Sequence, residues 1–111
     1  MSAKPKLLPL AKLPPREYYD SDCGNKLLPR YRHPHGFIIE RVRRDWSARG
    51  TPQPGWAGPR EWWGVRADIW PPPRYVKWLC EPETLREARE YADRYRWVRG
   101  PMHGEGELVP A

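Results

Sequence analysis

A chain of 111 residues has room for one modest hydrophobic core, which excludes a two-domain reading. Its 39% hydrophobic fraction is low, yet seven Trp, six Tyr and one Phe concentrate apolar area in few side chains, so an aromatic core is expected. Twenty Lys and Arg against fourteen Asp and Glu leave a net charge of +6, which suits an acidic partner or simply a solvated surface, and no apolar run approaches the about 18 residues of a membrane-crossing helix.

Residues 1–36 carry six of the fifteen prolines and little hydrophobic periodicity, with seven basic and three acidic side chains. They are expected to form an extended basic arm, since proline removes backbone donors and fixes φ. Prolines and lysines also interrupt residues 1–13, so no signal peptide is expected, and a cytoplasmic chain without membrane contact is the working expectation. Within the arm, Lys6-Leu7-Leu8-Pro9 recurs as Lys26-Leu27-Leu28-Pro29, an apolar-basic pattern that a featureless linker does not need. Leu7, Leu8, Leu13, Leu27 and Leu28 are costly to leave in water, and they are the candidate partner-binding residues of this segment.

Residues 37–44 form the first expected strand. Ile38 and Val42 share one face with Glu40, and Phe37 and Ile39 share the other with Arg41 and Arg43. Which face is inward is not decided by this pattern. Gly50, Pro52, Pro54, Gly55, Gly58 and Pro59 then predict a loop over residues 47–60. Trp46 just before it and Trp56 within it join the candidate partner-binding set, because tryptophan concentrates interface energy.

Alternation is clearest in the second strand, where Trp63, Val65, Ala67 and Ile69 interleave with Gly64, Arg66 and Asp68. After Pro71, Pro72 and Pro73, residues 74–80 return as a third strand with Val76, Trp78 and Cys80 on one face. The spacing of Leu85, Ala88, Ala92 and Tyr95 predicts a helix from Pro82 to about Trp97, stopped by Gly100 and Pro101 and docked on the face of Trp63, Val65, Ala67 and Ile69. Residues 102–111 are polar and are expected to be loose.

Chemical signatures are few. His33, His35, Cys23 and Cys80 lack the paired spacing of a zinc site, and no metal or other cofactor is expected. Cys23 and Cys80 are read as reduced thiols, a disulfide being the lesser alternative. Neither has a neighbouring base in sequence, and no phosphate-cradling glycine loop is present, so the chain is not expected to be an enzyme. Pro72-Pro73-Arg74-Tyr75 matches the short pattern that WW domains bind, but Tyr75 at a strand start is expected to be committed to the sheet instead. Arg41, Arg43, Arg44 and Arg66, with Trp46 nearby, could contact phosphates and stacked bases or merely face solvent.

The run Trp63-Gly64-Val65-Arg66-Ala67-Asp68, then Arg74-Tyr75-Val76-Lys77-Trp78-Leu79, then Glu83-Thr84-Leu85-Arg86-Glu87-Ala88 and Tyr91-Ala92-Asp93 resembles the three-stranded-sheet-plus-helix DNA-binding domains of plant ethylene-response factors and phage-integrase arm-binding modules. The resemblance covers about a third of the chain, from Trp62 to Tyr95, and departs from the family where Cys80 replaces a glycine. It implies a sheet laid in the major groove, with Arg66, Arg74 and Lys77 as base-reading side chains.

The expected architecture is therefore α+β: a small antiparallel three-stranded sheet packed by one C-terminal α-helix over residues 37–99, an extended Pro-rich N-terminal arm over 1–36, and an acidic tail over 100–111. The expected function is non-enzymatic binding, as an accessory or adaptor subunit of a larger bacterial or phage assembly whose partner is another protein or a multiprotein assembly. The alternative is a nucleic-acid-binding module using Arg41, Arg43, Arg44, Arg66, Arg74 and Lys77.

Overall fold

The computed structural model describes residues 6–20, 24–44, 60–71 and 77–111. Four antiparallel strands run in chain order through the main sheet: β1 (Ala11–Asp20), β2 (Gly24–His33), β3 (Phe37–Arg44) and β4 (Arg60–Ala67). Helix α1 (Leu85–Arg94) follows, and then a second, two-stranded sheet of β5 (Tyr95–Arg99) and β6 (Gly106–Pro110). The α+β class stands, but the sheet has four strands rather than three and the helix is not C-terminal.

The expected arm is a hairpin. Leu13 lies opposite Arg30 and Arg16 opposite Leu28, with a register shift at Pro14 and Pro15 between them. A shift of this kind is how an edge strand accommodates prolines, which cannot donate to the ladder. Beyond the hairpin, the chain turns from β2 into β3 through Pro34, His35 and Gly36, with Gly36 NH donating to the His33 carbonyl at 3.2 Å. Gly36 has φ +89°, the left-handed conformation that a three-residue hairpin turn requires and glycine adopts without cost.

Cross-strand pairs Phe37–Ala67 and Ile39–Val65 place those four residues on one face. Phe37, Ile39, Val65, Ala88 and Ala92 are fully buried together, with Leu10, Trp63, Leu85, Tyr91, Tyr95 and Trp97 packed around them. The expected docking of α1 on the Trp63–Val65 face is thus present, and Leu85 is half-buried. Alanines at 88 and 92 let the helix backbone come close to the sheet. The opposite face is buried as well, with Leu28, Ile38, Glu40, Val42 and Trp62 all under 9% exposed. Burial on both sides is why hydrophobic pattern alone left the inward face of β3 undecided.

Of the expected third strand, residues 72–76 lie outside the described residues. What is described pairs with the free edge of β4 as a bridge: Leu79 NH to Val65 O at 2.8 Å, Val65 NH to Cys80 O at 2.9 Å and Trp63 NH to Pro82 O at 2.9 Å. Pro82 is therefore committed to that edge and cannot open the helix. Thr84 caps it instead, its hydroxyl accepting from Glu87 NH at 3.1 Å, the short polar cap that the Thr84-x-x-Glu87 spacing allows.

The helix ends at Arg94, short of the expected Trp97, because Tyr95 is extended (φ −125°, ψ 168°). From there Tyr95-Arg96-Trp97-Val98 pairs with Glu107-Leu108-Val109-Pro110, aromatic and β-branched residues being well suited to a strand. The expected loose tail is this strand β6, and Ala111 NH donates to the Arg94 carbonyl at 2.8 Å.

Candidate binding surfaces

The expected partner-binding leucines divide. Leu28 is 3% exposed and part of the buried face, Leu7, Leu8 and Leu13 are half-buried, and only Leu27, at 62%, faces solvent. Trp46 and Trp56 lie outside the described residues. The arm leucines other than Leu27 are therefore largely consumed by their own fold, Leu13 and Leu28 on β1 and β2 and Leu8 ahead of β1 through its main-chain bonds to α1.

The expected cationic set divides too. Arg41 Nε and Arg43 Nη1 lie 3.4 and 3.2 Å from the two carboxylate oxygens of Glu61, which also receives Lys26 Nζ at 2.9 Å. The Lys26 hydrogen bond holds the Glu61 carboxyl below its usual range, overriding the opposing effect of burial, with the charges of Lys26 and Arg41 adding to it. Arg41 also lies over the Trp63 ring, 5.5 Å from its centroid, a cation–π geometry. Arg66 is 8% exposed, its Nε 3.4 Å from Oε1 of the fully buried Glu40, which Arg16 approaches at 3.6 Å. This is the correction to Arg66 as a solvent-facing reader: the alternation that marks it as the wet side of β4 is real, but both sides of β4 are covered. Lys77 is exposed; Arg74 and the side chain of Arg44 lie outside the described residues, as does the proline motif at 72–75.

A polar constellation unmarked in the sequence joins β2 to α1. His33 is fully buried, and its Nε2 lies 2.6 Å from Asp93 Oδ1. Its Nδ1 accepts the His35 backbone NH at 3.0 Å, so the proton of the neutral ring sits on Nε2 and is donated to Asp93. His35 Nδ1 in turn lies 2.8 Å from the Ala92 carbonyl and donates to it. The other carboxylate oxygen of Asp93 accepts Leu8 NH at 3.1 Å, and Arg89 Nη2 donates to Leu8 O at 2.8 Å. Sixty residues separate His33 from Asp93, and no local motif could have connected them.

Both His33 nitrogens are thus occupied, leaving no lone pair for a substrate proton. Cys80 is a half-buried free thiol. Burial pushes its pKa up, with the charges of Glu87 and Glu81 adding to the effect, so it is protonated and a poor nucleophile at neutral pH.

A second surface lies at the tip of the β5–β6 hairpin. Ile69, Trp70, Arg99 and the turn from Gly100 to Glu105 line a cleft of about 190 Å³. Trp70 is 76% exposed and Met102 66%. His103 Nε2 lies 2.7 Å from Pro71 O, and Arg99 Nη2 donates to Asp68 O at 3.3 Å, which brace the hairpin against the end of β4. Glycines at 100, 104 and 106 between two apolar runs were the available hairpin signal, hidden by assigning Tyr95–Trp97 to the helix. Among the described residues no helix is long and apolar enough to cross a membrane.

Compared with protein-family models, with curated proteins and with solved structures, the chain matches none.

Proposed function

We propose that this chain is a non-enzymatic binding protein, an accessory or adaptor subunit that docks on another protein through the surface of Trp70 and Met102. The observation that carries the reading is the exposure of these two large side chains, 76% and 66%, beside one cleft, while every other Trp, Tyr and Phe side chain among those described is buried or half-buried. Tryptophan and methionine are enriched in the cores of protein interfaces, and a Trp covered by a partner removes on the order of 150 to 250 Å² from water. Arg99 and His103 at the rim supply polar edges of the kind that orient such contacts. The occupied nitrogens of His33 and the protonated Cys80 thiol support a binding role over a catalytic one. The ion pairs of Arg41, Arg43 and Arg66 favour a protein partner over nucleic acid, since these guanidiniums already have carboxylates.

The test is to purify the chain from its native source as wild type and as Trp70→Ala. A stoichiometric protein that stays bound at raised salt with the wild type, and is lost with Trp70→Ala, is the expected outcome. Co-purifying nucleic acid that dissociates as salt rises, with no effect of Trp70→Ala, overturns the reading in favour of the nucleic-acid alternative.

A further inference from the structure

The three histidines of the chain use their ring nitrogens differently. His35 Nδ1 donates to Ala92 O at 2.8 Å and His103 Nε2 to Pro71 O at 2.7 Å, bonds that an imidazolium keeps because both of its nitrogens carry a proton. His33 Nδ1 instead accepts, from the His35 backbone NH at 3.0 Å, and among the described residues it is the one histidine nitrogen that does so. A proton added to His33 therefore sets two donors against each other, and that bond is lost. The turn it holds ties together two other parts of the fold. His35 O accepts Trp97 NH of β5, and Gly36 O accepts Asp68 NH at the end of β4, each at 2.9 Å. Trp70 stands two residues beyond Asp68 and Arg99 two beyond Trp97, and both line the cleft at the hairpin tip. The other ties between these walls, Arg99 to Asp68 O and His103 to Pro71 O, are exposed.

We propose that His33 is a pH-operated latch on the cleft of Trp70 and Met102: neutral, it fixes the 34–36 turn and with it the two walls of the cleft, and protonated, it frees the turn, so that the surface loses its shape and releases its partner. The release of a partner rests on the docking reading above; the latch itself does not. Asp93 and Arg89 face His33 from α1, His35 from the turn, and from β3 the uncharged ring of Phe37, at 6.1 Å between centroids. Residues 6–10 reach Asp93 and Arg89 through the Leu8 main chain. Burial lowers the pKa of His33 from 6.5, outweighing the hydrogen bond and charge of Asp93 that raise it, and His35 and Arg89 lower it further. The closed turn thus resists a proton that an open turn takes up at the ordinary value, and acid drives it open.

The experiment follows the full isotope-labelled chain by NMR from pH 7.5 downward. As the His33 ring titrates, the amide protection factors of His35, Asp68 and Trp97 should fall at least about ten-fold, while Val65 NH, bonded to Cys80 O, keeps its protection. The Trp70 indole NH signal should shift with the same midpoint as the His33 ring. Because these midpoints are compared in the wild type, the test stands even if a variant fails to fold. His33→Gln should abolish the response, and His103→Gln should leave it in place. Unchanged protection through the His33 titration, loss at Val65 together with the turn, or an identical response in His33→Gln overturns the latch. No partner enters this measurement, so it succeeds or fails independently of the co-purification test. Washing the co-purified complex below the His33 midpoint should strip the partner from the wild type and not from His33→Gln, and retention by the wild type overturns the link to docking.

Discussion

Gly64 has no side chain because Trp78 takes its place: a Cβ there would meet the Trp78 ring at 2.4 Å. Gly64→Ala gains strand propensity but forces that half-buried ring off its seat, and a net loss of about 1 to 2 kcal/mol is expected in the urea midpoint. Glu40 poses a sharper case, since it is fully buried and faces Arg66, itself only 8% exposed. Glu40→Ala strands a guanidinium inside the fold, and a loss of about 3 to 5 kcal/mol is expected by denaturant unfolding. His33 sets a pH dependence. Burial lowers its pKa from the ordinary 6.5, outweighing the hydrogen bond and charge of Asp93 that raise it, while His35 and Arg89 lower it further. On acidification the unfolded chain therefore takes up this proton before the folded chain does. The contribution of His33 to stability is complete above about pH 6.5 and is lost as pH falls from there through the folded-state value. Melting temperature followed from pH 7.5 downward should decline in that window, and the decline should flatten in His33→Gln.

Among the elements, α1 owes its start to Thr84, whose hydroxyl satisfies Glu87 NH. Thr84→Ala should cost about 1 kcal/mol, read by thermal or urea unfolding, while Thr84→Ser should cost a fraction of that because the hydroxyl is kept. The helix period at Leu85, Ala88 and Ala92 was legible because these residues form one stripe, and the stripe meets the sheet face that β4 alternation pointed to. The ends were not legible. Pro82 satisfies the local rule for a first helical position, yet its carbonyl serves Trp63 NH across the β4 edge. Tyr95 continues the helical spacing, yet it begins β5 because a partner strand eleven to fifteen residues further on supplies the ladder. Both outcomes turn on hydrogen bonds to distant segments, which local propensity does not contain.

Across the whole molecule, β1 and β2 make residues 11–20 and 24–33 structural. Deleting residues 1–33 removes Leu28 and His33 from their buried positions and bares the β3 edge, so tryptophan fluorescence in a urea titration should show no cooperative transition. Deleting residues 1–10 spares every ladder pair of β1 and should leave one cooperative transition at a lower midpoint, since among the described residues it removes the half-buried Leu7, the packing of Leu10 and the Leu8 hydrogen bonds. The candidate surfaces follow the same logic. Trp70 and Met102 lie 32 residues apart and Leu8 and Asp93 85 apart, so neither pairing has a local signature, and the cationic set read from β3 and β4 lost its freedom to carboxylates that only sheet register places beside it.

By itself the sequence determined what is local, the alternation of β4 and the inward stripe of α1, whereas the expected aromatic core is largely aliphatic, with Phe37 and Trp62 buried among Leu, Ile, Val and Ala. Tertiary structure alone decided that β1 and β2 pair within the proline-rich segment, that both faces of β3 are covered, and that residues 106–110 form a strand. The physical reason is common to all three. A β-ladder is made of bonds between residues far apart in the chain, so a segment with weak intrinsic preference takes the structure its partner offers.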